Sequence, residues 1–266
     1  MNELAQLPQE LWPRVKTAPH RLLMVDYDGT LAPLRLNRMD ARLPPRNFEA
    51  LSALSARRDT TLIVISGRGM DELSELTAGL SITLIGEHGW VTRDVGGAVR
   101  EAPLPAAVAK GLAEAESTAR AHGLGPRLER KRTGVVLHLR DLPPEQASVL
   151  DARARALWKP ILTAYAIRLD PIHGGLELRA SGRNKGTAAL ERLAQEPPQT
   201  LPVYVGDDLA DEDAFRAVRA KGFGLRVGPD TAPTNASGRL PSLEAVSLFL
   251  EEWLRVTGDL SQPAAS

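Results

Sequence analysis

Short apolar runs recur along the chain, and each ends in a loop rich in glycine, serine or acidic residues. A run of about four to eight apolar residues that is bounded by turn-forming residues predicts a buried strand. Segments with the apolar spacing of helices lie between these runs or directly after them. The predicted strands are 22–25, 61–65, 82–85 and 201–205, and the predicted helices are 47–56, 71–80, 186–194 and 211–220. Strands that alternate with helices predict βαβ units, and therefore an α/β fold with a Rossmann-like parallel sheet core.

The middle of the chain follows a different pattern. It predicts a helix at 103–122, a strand at 135–140 entered from 127–132, a helix at 143–157, and strands at 164–170 and 175–179 around the turn 171–174. This order predicts an α+β unit. We expect residues 103–179 to form a domain inserted into the core domain, which then comprises 1–102 and 180–266. The polar tail 257–266 contains glycine and proline and is expected to be disordered.

The composition narrows the classes of protein. A length of 266 residues with 43% hydrophobic residues suits one large α/β domain, or a domain with a substantial insertion. The formal net charge is zero, so nothing favours binding to nucleic acid or to an anionic membrane surface. The absence of cysteine excludes disulfides, thiolate metal sites and cysteine nucleophiles.

Two further observations bear on the compartment. Residues 1–16 contain acids and prolines but not the apolar segment of a signal peptide. No apolar run approaches the ~20 residues that span a bilayer. We therefore expect a cytoplasmic protein with no membrane partner and no nucleic-acid partner, and we expect it to be a monomer.

The loop after the first predicted strand carries the most informative residues, Asp26-Tyr27-Asp28-Gly29-Thr30. Two carboxylates spaced i, i+2 at a strand end can divide the work between a nucleophile and a proton carrier. Gly29 allows the backbone to turn closely under a bound anion. Asp, Gly and Thr are also ordinary turn formers, so a simple loop is the alternative for this segment taken alone.

Further polar residues follow at other predicted strand ends and helix starts. They are Ser66, Lys185, and Gly206-Asp207-Asp208 followed by Asp211-Glu212-Asp213. Ligands of parallel sheets bind beyond the carboxyl ends of the strands, so these segments converge on one crevice. Each residue taken alone also has an alternative role that is purely structural. Ser66 could cap a helix, Lys185 could lie at the surface, and the two aspartates could favour a helix dipole.

These elements, in this order, resemble the haloacid dehalogenase superfamily, whose members are mostly phosphohydrolases. A carboxylate nucleophile and a phosphomonoester dianion repel each other, so their approach needs compensating positive charge. A hard divalent cation with oxygen ligands supplies it, and Mg²⁺ fits carboxylates combined with phosphate. Asp26 and Asp207 are the expected side-chain ligands, and Asp28 is expected to contribute its backbone carbonyl.

The mechanism expected from this resemblance has two steps. Asp26 attacks phosphorus in line and forms an aspartyl-phosphate. Asp28 protonates the departing sugar oxygen and then, as a base, activates the water that releases phosphate. Lys185 holds Asp26 and the phosphoryl oxygens together, and Ser66 donates a hydrogen bond to the transferring group.

A finer resemblance is to the family of trehalose-6-phosphate phosphatases. The segments that carry it are Asp26-Tyr27-Asp28-Gly29-Thr30-Leu31, Ser66-Gly67-Arg68, Gly86-Glu87-His88-Gly89, Glu129-Arg130-Lys131 with His138 and Arg140, Gly175-Leu176-Glu177-Leu178-Arg179, Asn184-Lys185-Gly186, and Gly206-Asp207-Asp208 with Asp211-Glu212-Asp213. Ala210 stands where the family usually has threonine. That residue is not a metal ligand in the family, so we expect at most an indirect effect on the site.

The same resemblance implies that the inserted domain is a cap that closes over the core and reads the disaccharide. Glu129, Lys131 and Glu177 are then expected to bind sugar hydroxyls, which suits carboxylate acceptors and an ammonium donor. Their alternative role is an exposed Glu/Lys pair on a strand. The resemblance also puts further residues among those that bind substrate, namely Gly67, Arg68, His88, Arg140 and Asp208. For His88 the alternative is a hydrogen bond to a loop carbonyl.

We therefore predict a Mg²⁺-dependent phosphatase that converts trehalose 6-phosphate to trehalose and phosphate in trehalose biosynthesis. One alternative is a phosphatase of another sugar phosphate, such as sucrose phosphate or a mannosylglycerate phosphate. A second is a catalytically silent domain that binds a sugar phosphate and regulates or scaffolds. A third is a phosphomutase that retains the phosphoryl group.

Overall fold

The structure is a computed structural model that describes residues 3–229 and 233–258. The chain divides into two units. The first takes the chain up to Arg100 and from Asn184 onward, and the second comprises Glu101–Arg183. The range 103–179 falls within the second unit, and its assignment as an inserted cap domain stays a prediction.

Strands and helices are numbered in chain order over the described residues. Strands β1 to β12 are Arg21–Val25, Thr60–Ile65, Thr83–Gly86, Val91–Arg93, Val99–Glu101, Leu128–Arg130, Gly134–His138, Ile167–Ile172, Gly175–Ala180, Leu201–Gly206, Phe223–Val227 and Gly238–Leu240. Helices α1 to α8 are Leu11–Thr17, Pro45–Ser55, Met70–Leu76, Ala106–Ala121, Pro144–Ala164, Lys185–Leu193, Glu212–Val218 and Leu243–Gly258. None of the helices in these ranges is long and apolar enough to cross a bilayer.

The core sheet has the strand order β12-β11-β10-β1-β2-β3-β4-β5. Strands β12 through β3 in this order pair in parallel, and β4 runs antiparallel to β3. The parallel α/β core predicted from the sequence is therefore confirmed. Strand β1 lies centrally and every one of its residues is buried, which is why it appears in the sequence as a continuous apolar run.

Successive residues of β1 face opposite sides of the sheet and enter two separate apolar clusters. Leu23 and Val25 pack in a cluster that includes residues of α1, α2, α3 and α8. Leu22 and Met24 pack in the other cluster with residues of α6 and α7. Helices therefore cover both faces of the sheet, and its functional edge is left at the carboxyl ends of the strands.

The second unit contains a four-stranded antiparallel sheet with the order β6-β7-β9-β8. Val135, Leu137, Leu176 and Leu178 are buried, and both α4 and α5 contact strands of this sheet. On the other face, β6 and β9 carry Glu129, Glu177 and Arg179, whereas β7 carries Gly134, Val136 and His138 there. Apolar and charged residues therefore alternate along β9, as expected for a sheet with one face packed against helices.

Several predicted elements have different bounds in the structure. Segment 127–132 contains a strand of its own, β6, which makes the order in this unit helix, strand, strand, helix, strand, strand. Helix α5 does not end at 157 but continues through Pro160 to Ala164. Helix α3 ends at Leu76, before the left-handed Gly79, and not at 80.

The sequence pattern did not predict α1, α8 or the strands β4, β5, β11 and β12. Of the tail predicted to be disordered, residues 257 and 258 belong to α8, and Thr257 is fully buried. The remainder of that tail, 259–266, lies outside the described residues.

Candidate active site

The carboxyl ends of three adjacent strands bring the first polar segments together. Val25, the last residue of β1, pairs with Val205 of β10 on one side and with Val64 of β2 on the other. The backbone N–H of Asp26 continues this ladder and donates to the carbonyl oxygen of Val205 over 2.9 Å. Asp26, Ser66 and Asp207 therefore follow neighbouring strands at nearly the same level of the sheet.

Lys185 is a buried cation at the start of α6. The side chain of Asn184 caps this helix by accepting from the backbone N–H of Thr187, and Lys185 is the first helical residue. Its Nζ lies 2.8 Å from Oδ1 of Asp26 and 2.8 Å from Oδ1 of Asp211. Burial opposes the ammonium charge, but the two carboxylates outweigh it and raise the pKa of Lys185. Lys185 therefore stays charged beside Asp26.

Asp211, which the sequence motif includes without a predicted role, is a hub of four hydrogen bonds. Its Oδ1 accepts from Lys185 Nζ over 2.8 Å and from the hydroxyl of Tyr204 over 2.6 Å. Its Oδ2 accepts from the backbone N–H groups of Asp207 and Asp208 over 3.0 and 2.9 Å. A fully buried carboxylate with both oxygens bonded in this way orders the loop around it. Its spacing of four residues from Asp207, across a turn, is the sequence signal that could have indicated this role.

Asp26, Asp207 and Asp211 form an acidic cluster whose ligand atoms lie within 4.8 Å of one another. Burial, together with the charges of Asp211 and Asp207, raises the pKa of Asp26 although Lys185 opposes the shift. Burial and Asp211 also raise the pKa of Asp207, to about 7. These shifts indicate a site with excess negative charge, which a cation would relieve. Because each oxygen of Asp211 already accepts two hydrogen bonds, Asp26 and Asp207 are the carboxylates suited to hold one.

Gly29 is required where the loop after β1 approaches this cluster. It has φ of +75°, and a Cβ at this position would lie 2.1 Å from Oδ2 of Asp207. The neighbouring Thr30 donates from Oγ1 to Oδ1 of Asp207 over 3.3 Å. The two motifs therefore approach so closely that any side chain at position 29 would occupy the space of the Asp207 carboxylate. Oxygen donors in such a confined space suit a hard cation.

Asp28 forms a bidentate ion pair with Arg68. Nε of Arg68 donates to Oδ2 of Asp28 and Nη2 donates to Oδ1, each over 2.6 Å. The Arg68 side chain is only 3% exposed, and its guanidinium carbon lies 5.5 Å from the centre of the Tyr27 ring. The family resemblance implies that Arg68 binds substrate, whereas in the structure its guanidinium contacts Asp28.

Backbone hydrogen bonds connect the loop that contains Ser66 to the turn that contains His88. The backbone N–H of His88 donates to the carbonyl of Ser66 over 3.0 Å, and that of Glu87 donates to the carbonyl of Arg68 over 2.9 Å. Both Glu87 and His88 have positive φ, a strained conformation for residues with a Cβ. The His88 ring packs so closely on Gly67 that a Cβ there would lie 2.7 Å from the ring. Gly67 and His88 therefore form one packed unit beside Ser66.

Ser66 and Asp208, two further predicted site residues, have local partners. The Ser66 hydroxyl oxygen accepts from the backbone N–H of Arg68 over 3.2 Å. The side chain of Asp208 accepts from the backbone N–H of Leu209 over 2.6 Å and caps a short 3₁₀ helix. The Ser66 contact lies within its own loop, because α3 begins at Met70 with Gly69 as its N-cap, so Ser66 does not cap that helix. Asp208 does lie at the start of a helix, where a carboxylate also suits the helix dipole.

The remaining predicted residues lie in the second unit, where they interact in pairs. Lys131 Nζ lies 2.7 Å from Oε1 of Glu177. Glu129 Oε2 lies 2.8 Å from Nε2 of His138, a residue that the sequence reasoning quoted in a motif but did not place in the site. Arg140 donates from Nη2 to the carbonyl of His173 over 2.7 Å.

Glu129 and Glu177 share one face of the second unit's sheet, because both pair with Val136 of the strand between them. They lie on the face opposite Leu137, Leu176 and Leu178, since alternate residues of a strand point to opposite sides. A face with two carboxylates, an ammonium and an imidazole offers donors and acceptors that match sugar hydroxyls.

The core arrangement suits a reaction in which a carboxylate attacks an anionic centre. Asp26 supplies an oxygen nucleophile with a cation 2.8 Å away. Asp28 supplies a second carboxylate two residues further on, and Asp207 can share a cation with Asp26. A nucleophile, a proton carrier and concentrated positive charge are what phosphoryl transfer requires of a protein.

Comparisons with known proteins agree with this chemistry. The family model described as trehalose-phosphatase matches residues 24–245. A trehalose-6-phosphate phosphatase of Escherichia coli strain K12 is 32% identical over 231 residues, which cover 85% of this chain and 84% of the relative. A probable trehalose-phosphate phosphatase of Sinorhizobium fredii is 32% identical over 228 residues, which cover 84% of each. The C-terminal domain of trehalose-6-phosphate phosphatase from C. albicans has the same fold, with a TM-score of 0.82, 21% identity and 97% of each chain covered.

Proposed function

Because the chain belongs to the trehalose-phosphatase family, we propose that it hydrolyses trehalose 6-phosphate to trehalose and inorganic phosphate in trehalose biosynthesis. The observation that carries this proposal is the buried Asp26 carboxylate, paired with Lys185 and adjacent to Asp207. A domain that only bound the sugar phosphate would have no need of a buried nucleophile with a cation beside it.

Asp26 is the nucleophile of the first step. One of its oxygens attacks phosphorus as the bond between phosphorus and the sugar oxygen breaks, and an aspartyl-phosphate forms. Lys185 balances the charge that accumulates on the attacking carboxylate and on the phosphoryl oxygens. Because its ammonium is already fixed between Asp26 and Asp211, it needs no rearrangement to do so. The Ser66 hydroxyl donates a hydrogen bond to a phosphoryl oxygen.

Asp28 carries the proton in both steps. It gives a proton to the departing sugar oxygen, which leaves as the 6-hydroxyl of trehalose. It then takes a proton from the water that attacks the phosphorus of the aspartyl-phosphate, and phosphate and the Asp26 carboxylate are released. The cycle consumes one water, and it returns Asp26 to its carboxylate form and Asp28 to its protonated form.

Mg²⁺ is the cation we propose for the acidic cluster. Asp26 and Asp207 would hold it through carboxylate oxygens, together with the backbone carbonyl of Asp28. When bound, it would offset the charge of the phosphate dianion and polarise its oxygens. Asp211 has the different task of fixing Lys185 and the backbone of the loop that carries Asp207.

Sugar recognition is assigned to the second unit as a cap. Glu129 and Glu177 are proposed to accept hydrogen bonds from hydroxyls of the disaccharide, and Lys131 to donate to a sugar oxygen. Lys131 and Glu177 are paired over 2.7 Å, so each presents the other in a fixed orientation. Arg140 and Asp208 are assigned to substrate as well, and Gly67 and His88 line the phosphoryl end of the site.

The test is product formation from trehalose 6-phosphate in the presence of Mg²⁺. The proposal expects phosphate and trehalose to appear in equal amounts, and it expects excess chelator to abolish both. Full turnover in chelator would remove the cation from the mechanism. Phosphate release without trehalose would remove the assigned substrate.

A further inference from the structure

The guanidinium of Arg68 contacts Asp28, the residue proposed above to give and take the proton. We propose that Arg68 is a positioning residue for Asp28, which it holds in the orientation that delivers a proton to the leaving oxygen. This inference rests on the proposed function, because it takes Asp28 to be the acid and base of the reaction. It differs from the expectation that Arg68 binds substrate.

The contacts of Arg68 leave its guanidinium committed to protein groups. Nε and Nη2 both donate to Asp28 over 2.6 Å, and Nη2 also donates to the carbonyl of Arg38 over 2.9 Å. Nη1 lies 3.5 Å from Oε2 of Glu72. Four contacts on a side chain that is 3% exposed leave little capacity for a sugar or a phosphate.

A bidentate ion pair fixes the orientation of the carboxylate as well as its distance from the guanidinium. The planar guanidinium matches the plane of a carboxylate, so two parallel hydrogen bonds restrict rotation of the Asp28 side chain. A carboxyl group has about four lone-pair sites, and Arg68 occupies two of them. One of the remaining sites carries the proton that is given to the leaving oxygen, and in the ionised form it accepts the proton of the attacking water. The pair therefore orients Asp28 without blocking it.

Neighbouring groups in turn fix Arg68. Glu72, on α3, pairs with Arg38 over 2.8 Å as well as approaching Arg68. The Tyr27 ring lies against the guanidinium, and its hydroxyl donates to the carbonyl of Ala41 over 2.7 Å. The loop after β1 and the start of α3 both contact Arg68, and these contacts fix the position of its guanidinium in the folded core.

A misdirected proton carrier affects poor leaving groups far more than good ones. A basic leaving oxygen needs a proton as the bond to phosphorus breaks, whereas p-nitrophenolate leaves readily without one. Loss of Arg68 should therefore make the reaction more sensitive to the basicity of the leaving group. A residue that holds the phosphoryl group would reduce the rate for every ester alike, and a residue that reads sugar would leave aryl esters unaffected.

The experiment measures kcat/KM for a series of aryl phosphates from p-nitrophenyl phosphate to phenyl phosphate, with saturating Mg²⁺. This quantity reports only steps up to departure of the phenol, and the series contains no sugar. The variants are Arg68→Gln, Arg68→Lys, Asp28→Asn and the double variant of Arg68→Gln with Asp28→Asn. Arg21→Gln is the matched control, because Arg21 is also buried and pairs with an aspartate, Asp59, over 2.8 Å, at the opposite end of β1.

The proposal expects Arg68→Gln to reduce kcat/KM by about ten- to a hundredfold for phenyl phosphate and by less than about threefold for p-nitrophenyl phosphate. Arg68→Lys should steepen the dependence as well, since an ammonium cannot form the two parallel bonds. Adding Arg68→Gln to Asp28→Asn should cause no further change in the slope of log kcat/KM against the basicity of the leaving group. Arg21→Gln should lower the melting temperature without altering the slope.

Equal losses across the series would overturn the proposal and return Arg68 to the phosphoryl group. An unchanged slope with losses confined to trehalose 6-phosphate would return it to the sugar. If Arg68→Gln does not fold, Arg68→Lys carries the same comparison. Failure of the wild-type protein to hydrolyse trehalose 6-phosphate while it cleaves aryl phosphates would overturn the proposed substrate and leave the Arg68 test intact.

Discussion

Asp26, the proposed nucleophile, lies in an environment that disfavours its charge. Burial raises its pKa, and the neighbouring carboxylates of Asp211 and Asp207 act in the same direction. Lys185 opposes the shift from 2.8 Å away. The proposed nucleophile is therefore a buried group whose ionisation depends on specific partners, which is typical of catalytic sites.

Asp26→Asn is expected to fold and to reduce kcat by more than about a thousandfold, because an amide of the same shape is not a competent nucleophile. Its melting temperature should remain near that of the wild type, since the change removes a costly buried charge and Lys185 keeps its contact with Asp211. Phosphate release and thermal unfolding monitored by circular dichroism provide the two measurements. Turnover close to that of the wild type would move the nucleophile elsewhere, with Asp28 as the first candidate.

The sequence indicated which residue types gather at the site but not how their side chains pair. Asp26, Lys185 and Asp207 are brought together because strand ends and a helix start converge in a parallel sheet. The hub role of Asp211 and the ion pair of Asp28 with Arg68 depend on side-chain directions within loops. Loops have no repeating period from which a direction can be inferred, so these contacts required the structure.

Among the elements, α7 is joined to the loop before β12 by its first residue, Glu212. Its Oε1 accepts from Arg226 over 3.0 Å and from the Thr234 hydroxyl over 2.6 Å. Its Oε2 accepts from the backbone N–H of Asn235 over 2.7 Å and from Nδ2 of the same residue over 2.9 Å. Burial opposes the charge, but these hydrogen bonds outweigh it and lower the pKa of Glu212 from its ordinary value of 4.5.

Glu212→Gln should therefore lower the free energy of unfolding by about 1–2 kcal/mol at pH 7, as an amide retains one acceptor and loses the charge. A lowered pKa contributes stability that is present above the ordinary value and is lost as pH falls through the folded value. The difference between variant and wild type should thus shrink as the pH falls below 4.5. Urea unfolding at several pH values measures it. Glu244→Gln, at an exposed glutamate, is the control, and a difference for Glu212→Gln that stays constant with pH would contradict the assignment.

The charged face of the second unit's sheet leads to a prediction about substrate specificity. Glu129→Ala, Lys131→Ala and Glu177→Ala should each reduce kcat/KM for trehalose 6-phosphate by about ten- to a hundredfold, because a lost hydrogen bond to a charged group costs about 1.5–3 kcal/mol. The same variants should change kcat/KM for p-nitrophenyl phosphate, which has no sugar, by less than about threefold. Steady-state kinetics on both substrates tests this.

Asp151→Asn, on α5, is the control for those three variants, because Asp151 pairs only locally with Arg155 over 2.5 Å among the contacts described. It should leave both substrates unaffected. Equal losses on both substrates for the three sheet variants would instead indicate that these residues maintain the fold of the second unit.

At the same scale, the success of the sequence patterns depended on burial and length. The central strands β1, β2, β3 and β10 were predicted because strands buried on both faces form continuous apolar runs. Strands β4, β5, β6 and β12, which lie at or next to a sheet edge, have three residues each, which is too short for an alternating pattern to be visible. Helix α5 passes through a proline, which the sequence pattern treats as a helix end.

For the molecule as a whole, a cation bound to the native acidic cluster should raise the stability of the core unit. Binding to the native state alone adds free energy that grows with ligand concentration, so saturating Mg²⁺ should raise the melting temperature by about 2–8 °C. Asp207→Asn should abolish this increase, because it removes one of the two proposed carboxylate ligands. Asp213→Asn, a carboxylate close by in sequence but outside the cluster, should retain it.

Thermal unfolding with and without Mg²⁺ measures that increase independently of turnover. An equal increase in Asp207→Asn and in Asp213→Asn would place the cation elsewhere on the protein.

The central claim is that this chain is a phosphatase whose substrate is trehalose 6-phosphate. The most direct measurement is kcat/KM for phosphate release from a panel of sugar phosphates that includes trehalose 6-phosphate, sucrose 6-phosphate, mannosylglycerate phosphate and glucose 6-phosphate, each with Mg²⁺. We expect the value for trehalose 6-phosphate to exceed every other by at least about tenfold, since hydrogen bonds to both glucose rings add more than about 1.4 kcal/mol in total. A higher value for another sugar phosphate, or no release from any of them, would contradict it.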